Sequence, residues 1–249
     1  MKADGFDLVE DFNDLFGMNT AGTDAKMRNT KESILEAQFT PGAGNWCTWM
    51  FGRDLVNWNT NFTWAKWVTP SRDLINAFKK EGDEVRFKES VVYYDCKWSN
   101  YYPSDNYPFM YKCRSANSSI IKYRYADVLL LKAEALIMQD TPDLDGAADI
   151  IDEVRERAKL GALSASTRSN KNAMLNALLK ERRLELAFEG QRWFDLVRLD
   201  KVEEVMNAVY AKDSGRKAQV YAFDKTSYRL PIPQSVIDAN DKIHQNPGY

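Results

Sequence analysis

The sequence predicts a mainly α protein, built from a tetratricopeptide-like helical hairpin and further helices, beside a large irregular, aromatic-rich loop region with a few short strands. Three observations predict this class. Ala126, Leu130, Ala133 and Ile137 fall at the spacing 0, 4, 7, 11 of one helix face, and Ala147, Ile151, Val154 and Ala158 repeat it 21 residues later. Leu175, Leu178, Leu179, Arg182 and Leu186 follow 0, 3, 4, 7, 11, the stripe of a further helix. Between Gly42 and Val68, by contrast, rings are dense and no helical period holds them. These patterns divide the chain into an irregular region, residues 1–120, and a helical region, 121–249.

In chain order, Phe6, Leu8, Val9, Phe12, Leu15 and Phe16 are dense and apolar, which suits a segment docked on something else, the missing half of the protein being one candidate. Ile34 to Phe39 predicts a short strand. Thr69 caps and Pro70 opens a helix with Leu74 and Phe78 on its buried side. Val91 to Tyr94 predicts a strand, followed by a polar, aromatic loop from Ser99 to Tyr111. The hairpin spans 122–159. Its second helix is expected to take Thr141 as cap and Pro142 at its first position, with Asp143 and Asp145 favouring the positive end. Its small inner alanines permit close approach, and one such hairpin needs stacking partners to bury its face. The next helix is expected over 170–189, ended by Gly190 in the left-handed conformation. In the tail, Pro231 and Pro233 fix an extended run, Ser235 caps a short helix through Asn240, and Asn246 to Tyr249 makes a turn. The tail, residues 228–249, is expected to wrap back onto Glu181–Arg198, so that its deletion would unfold the protein.

With 249 residues, 44% of them hydrophobic, the chain can bury a substantial core. A formal net charge of -2 gives no support for nucleic acid or an anionic membrane as partner. Cys47, Cys96 and Cys113 are odd in number and lack metal-site spacing; Cys96 and Cys113 read as two buried thiols sooner than as a pair. No apolar run or small-residue cleavage site follows Met1, so the sequence reads as a cut or shortened form without an export signal.

The stretch Glu181–Arg198 concentrates charge on helical spacing. Arg182 lies on an apolar stripe and is tolerated there only if its head meets a carboxylate; Glu185 stands one turn away. Glu189, Arg192, Trp193, Asp195 and Arg198 extend the pattern, which reads as a structural knot of ion pairs and rings. Glu181, Glu185 and Glu189 share one helix face and cannot flank a scissile bond from two sides, so they do not form a glycosidase pair. Thr141, Asp143, Asp145, Gly146 and Asp152 only imitate a calcium loop, since position 1 is not Asp and position 12 is not Glu. His244 is the only histidine and sits in a surface context, which leaves no zinc site or histidine triad. No phosphate-binding or nucleophile-elbow motif occurs, so neither a cofactor nor a catalytic residue is expected.

The same stretch carries a resemblance. LLKERRLELAFEGQRWFDLVRL (Leu178 to Leu199) resembles the signature of the SusD/RagB family, outer-membrane nutrient-binding lipoproteins of the Bacteroidota. KESILEAQF (Lys31 to Phe39), PSRDLINAF (Pro70 to Phe78), YRYADVLLLKAEAL (Tyr123 to Leu136) and YRLPIPQSVIDANDKIHQNPGY (Tyr228 to Tyr249) resemble it in the same order. The likeness is to the C-terminal half of such a protein. It implies a non-enzymatic subunit that captures oligosaccharide or polysaccharide on the extracellular face of the outer membrane and hands it to a SusC-like TonB-dependent transporter. It also implies membrane attachment only through an N-terminal lipid anchor, which this chain lacks.

The aromatic loops fit that expectation on their own chemistry. Pyranose C–H faces stack on ring faces while hydroxyls take directed hydrogen bonds, and loops on a rigid scaffold present both. The candidate sugar contacts are Trp46, Trp49, Trp58, Asn59, Asn61, Trp64, Trp67, Tyr101, Tyr102 and Tyr107, of which two or three rings are expected to face ligand and the others to pack inside. The competing readings are a helical protein-interaction module, supported by the hairpin alone, and a glycoside hydrolase, supported only by the number of carboxylates.

Overall fold

The computed structural model describes residues 5–40, 44, 55–56, 68–213 and 222–249. Of the candidate sugar contacts, Trp46, Trp49, Trp58, Asn59, Asn61, Trp64 and Trp67 lie outside the described residues, as does Cys47. The chain falls into two units, Met1–Gly190 and Gln191–Tyr249.

The first unit begins with a single helical turn, α1 (Asn13–Phe16), and a strand, β1 (Ser33–Ala37). The apolar residues around α1 are docked within the unit itself. Val9, Phe12, Leu15 and Phe16 form one cluster with Ile121, and Leu8 joins the main helical core with Phe6 against it. The segment is docked as expected, and what it docks on lies within this unit: its later elements provide the apolar surface it covers.

Helix α2 (Arg72–Glu81) starts two residues after Pro70, not at it. Its cap is Ser71, whose extended backbone lets Oγ accept from the Leu74 N–H at 3.1 Å. Thr69 serves elsewhere, its hydroxyl lying 3.1 Å from the Tyr107 phenol oxygen. Phe78 is fully buried as expected, and Leu74 is partly so. Gly82, at φ +70°, ends the helix in the left-handed conformation, and Asp83 at once caps α3 (Glu84–Ser90). Strand β2 (Val91–Tyr94) pairs antiparallel with β3 (Tyr107–Met110), in the register Val91 to Met110 and Tyr94 to Tyr107. The stretch from Ser99 to Tyr111 is therefore a loop that returns as a strand. Pro108 and the buried Tyr107 and Phe109 mask the alternation by which strands are recognised.

Strand β4 (Ile120–Arg124) pairs with β1 and runs directly into helix α4 (Tyr125–Met138), so the hairpin proper starts at Tyr125. Its second arm is α5 (Leu144–Arg157). The cap is Asp143, whose carboxylate accepts from the Gly146 N–H at 2.9 Å; Thr141 and Pro142 both stand ahead of it. An Asp offers the charged acceptor that the positive helix end favours, and this outweighs the preference of proline for the first position. The alanine periodicity holds throughout. Ala126, Leu130, Ala133, Ile137, Ala147, Ile151 and Val154 are wholly buried in one core with Met174 and Leu178, and Ala158 is nearly wholly buried.

After a short turn, α6 (Ala165–Arg168), comes α7 (Lys171–Glu185), capped by Asn170 and packed on both arms of the hairpin. It ends before Leu186, four residues short of expectation. Phe188 takes φ +66° and Gly190 φ +83°, so the left-handed turn begins at a phenylalanine. A bulky residue rarely adopts such a φ and needs tertiary support to hold it.

The second unit holds α8 (Arg192–Arg198), α9 (Val202–Lys212), a 3-10 turn at Lys225–Tyr228 and α10 (Gln234–Ala239). Phe223 stacks between Trp193 and Tyr210, with ring centroids at 6.3 and 5.5 Å, and the Asn207 amide pairs with both the N–H and the C=O of Phe223. In the tail, Tyr228 donates to Asp200 at 2.6 Å, and Gln245 pairs with both backbone groups of Ile232. Helix α10 starts at Gln234 behind Pro233 and has no side-chain cap; Ser235 lies inside it. His244 is exposed.

Candidate functional site

Two constellations stand out in the first unit, a buried charge knot and an open aromatic loop. The knot is assembled from segments far apart in sequence. Glu185 on α7 is fully buried, and its carboxylate accepts from Arg124 and Arg157 on one oxygen and from Arg86, at 3.0 Å, on the other. Glu181, one turn earlier, takes Arg86 at 2.6 Å and Arg155 at 3.1 Å. Glu189 takes Lys112 at 2.5 Å and Arg124 at 2.7 Å. Glu32, just ahead of β1, accepts from Arg124 at 2.6 Å, from Arg157 at 2.8 Å and from the Val9 N–H at 3.0 Å.

Arg182 ion-pairs with Asp127 of α4 at 2.9 Å, while Glu185 is met by arginines from other elements, so the two do not pair in the way their spacing suggests. The i, i+3 geometry allows a pair, but the buried carboxylate finds better-aligned guanidinium groups across the core. Arg86, Arg124, Arg157, Lys112 and Glu32 were not singled out by sequence reasoning. Separations of 61 residues for Arg124 and 99 for Arg86 from Glu185 leave no local signal. In the second unit Arg192 opens α8, Trp193 stacks on Phe223, and Arg198 pairs with Asp195 at 2.9 Å.

Charge balance keeps Glu185 and Glu189 ionised. Burial alone would raise the Glu185 carboxyl, but Arg157, Arg124 and Arg86 hold it well below the usual carboxylate range. Glu189 is likewise lowered, burial being outweighed by Arg124 and Lys112. Lys112 goes the other way. Burial pushes its ammonium down to about 8, against the pull of Glu189. A glycosidase acid must hold its proton near neutrality. Glu185 and Glu189 are arranged for the reverse.

The loop lies between β2 and β3. Tyr107 and Phe109 are buried, as are Cys96 and Leu55, with Trp98, Tyr101 and Tyr102 half-buried on their outer side. Tyr101 meets Tyr102 edge-on at 5.0 Å, and Tyr102 meets Tyr107 at 5.6 Å. The Tyr102 hydroxyl donates to the Pro70 carbonyl at 2.8 Å, tying the loop to the start of α2. Arg72, in the first turn of α2, lays its guanidinium 4.0 Å from the Tyr101 ring centroid and 4.5 Å from that of Tyr102, and donates to the Tyr101 carbonyl. Around them opens a cavity of about 760 Å³, lined by Arg72 and the segment Lys97 to Ser104.

Of the sequence-predicted contacts, Tyr101 and Tyr102 line this cavity. Tyr107 lies beneath them, 2% exposed, its phenol oxygen 3.1 Å from Thr69 and 3.0 Å from Ser99. Arg72, Lys97 and Asn100 line it and were not anticipated. The only signal for them was their place beside rings and amides. Cys96 and Cys113 are buried thiols and form no disulfide. No cluster of His, Cys, Asp or Glu that could hold a metal occurs among the described residues. Nor is any described helix long and apolar enough to cross a membrane.

The mainly helical fold and the charged stretch on α7 and α8 have relatives. A sequence profile of the SusD family matches residues 105–249, and the chain belongs to that family. It is 33% identical over 142 residues to SusD-like protein P2 of Formosa agariphila, an alignment covering 55% of this chain and 27% of that protein. A SusD superfamily protein from Parabacteroides distasonis superposes with TM-score 0.74 at 24% identity, covering 100% of this chain and 55% of that one. Surface glycan-binding protein A from Bacteroides thetaiotaomicron, in complex with laminarihexaose, superposes with TM-score 0.72 at 19% identity over 97% of this chain and 56% of that one. The chain thus spans about half the length of these solved structures and about a quarter of P2.

Proposed function

We propose that this chain is the ligand-bearing part of a non-catalytic glycan-capture protein, holding oligosaccharide at the Tyr101–Tyr102 loop. The observation that carries the proposal is this loop itself. Partly exposed phenol rings, fixed in orientation by Pro70 and Arg72, stand over an open cavity whose other described lining groups are Trp98, Pro103, amide and hydroxyl side chains and two cations. Preset rings bind a sugar face at little cost in ordering. The laminarihexaose complex of a protein with the same fold supports it. In this reading the whole protein is lipid-anchored on the outer face of the outer membrane and passes its ligand to a SusC-like TonB-dependent transporter.

A hydrolase is disfavoured because Glu181 and Glu185 of α7 are sealed from solvent and both, like Glu189 after the helix, are engaged by cations. The protein-interaction alternative is weakened because the inner face of the hairpin is already covered by α7.

The test is electrophoretic retardation of this chain in native gels containing a panel of polysaccharides, with reducing ends assayed alongside. Retardation without new reducing ends is expected. Tyr101→Ala combined with Tyr102→Ala should weaken retention about tenfold, which corresponds to ~1.4 kcal/mol, without release of sugar in either form. Absence of retardation across the panel, or retention unchanged in the double variant, rejects the site.

A further inference from the structure

The charge of the cavity narrows the class of sugar. We infer that its ligand is an acidic saccharide, one carrying a carboxylate or a sulfate ester, a statement that rests on the glycan-capture reading above. The described lining contains two cations, Arg72 and Lys97, and no carboxylate; its remaining polar side chains are Ser99, Asn100, Ser104 and the two phenols. The described acids nearest in sequence are placed elsewhere. Asp73, next to Arg72, is paired with Arg183 at 2.5 Å, and Asp95 and Asp105 flank the loop outside the lining.

Lysine and arginine only donate hydrogen bonds. The hydroxyls of a neutral sugar can accept from these groups, but they leave the two positive charges uncompensated. An anionic substituent only accepts, and it matches a donor-only pair in both polarity and charge. Arg72 is also held for the task. Its guanidinium is stacked on the Tyr101 ring and anchored to the Tyr101 carbonyl, so the plane that would form a forked contact with a carboxylate or sulfate is fixed before ligand arrives. The same Tyr101 and Tyr102 rings that flank the cation would meet the pyranose face. One short loop thereby supplies both halves of the recognition. Lys97 is exposed at the cavity edge, where it would add attraction that salt screens.

The experiment compares retention of this chain by polygalacturonate, by a sulfated galactan and by a neutral β-1,3-glucan, at about 20 mM and about 500 mM salt, conditions that separate weakly from strongly screened charge. Retention by either acidic polymer above that by the neutral one, falling at high salt, is expected. The polymer retained identifies carboxylate or sulfate as the recognised group. Lys97→Gln, which changes one exposed side chain, should lower retention by the acidic polymer by up to about fivefold, the upper end for one exposed charge contact, and lower retention by the neutral glucan by less. Arg72→Lys, which keeps the charge and loses the planar fork, should lower retention by the acidic polymer further. Equal or stronger retention by the neutral glucan, unaffected by Lys97→Gln, overturns the acidic assignment and leaves glycan capture standing. No retention by any polymer overturns both.

Discussion

Glu185 shows how much a single carboxylate can organise when water is excluded. Three guanidinium groups, from α3, β4 and α5, converge on it, and each of them also serves a second acid. Such pairs add little net stability as a set, yet removing one partner leaves the others buried and uncompensated. Glu185→Gln is therefore expected to cost about 3–5 kcal/mol, read as a lowered urea midpoint of unfolding. The pH response follows from the shifts. Glu185 and Glu189 lie below their ordinary value of 4.5, so their stabilisation is complete above it and is lost as pH falls through the lowered values. Lys112, held at about 8 against an ordinary 10.5, binds fewer protons folded than unfolded in that window, so its contribution rises with pH between the two. Unfolding free energy measured across pH should decline on the acid side, and the local rise from about 8 to 10.5 should vanish in Lys112→Met. A rise that persists in that variant would mean another group is responsible. The chain carried these acids and bases in plain view. Their pairing was not visible, because contact between Glu32 and Arg124 is fixed by how β1 lies on β4 and not by any spacing.

Among the elements, the helical hairpin was legible and its boundaries were not. Buried alanines at helical spacing specify both arms, since only small side chains let α4 and α5 approach closely, and each position named from the pattern is buried. Replacing Ala133 with Leu should overpack this contact and cost about 1–3 kcal/mol, visible as a lowered melting temperature. Caps follow competition among neighbouring polar residues, which periodicity does not register. Asp143→Ala should cost about 1 kcal/mol and Thr141→Ala should lie within about 0.5 kcal/mol of the parent, a contrast that chemical denaturation can resolve. Equal effects of the two would contradict the observed start of α5. Strand β3 escaped notice for a related reason. With all four of its residues buried it shows no alternation, and its partner β2 was needed to reveal it.

At the scale of the molecule, the charge knot and the aromatic loop divide the labour within the first unit. The knot joins the residue just ahead of β1 with α3, β4, α5 and α7 through buried pairs, while the loop between β2 and β3 keeps rings at the surface. A scaffold held from within can present a loop that need not fold on its ligand, which favours capture over chemistry. What the sequence determined by itself was the mainly helical class, the hairpin, the presence of a charged stretch at Glu181–Arg198 and its likeness to the SusD family, all written in local order or short periods. What only the tertiary structure decided was which charges meet, that Tyr107 is covered while Tyr101 and Tyr102 line a cavity, and that Arg72 joins them. The reason is physical: helical periodicity is set by neighbours three and four residues away, whereas burial of a ring or an ion pair is set by whichever distant segment folds over it.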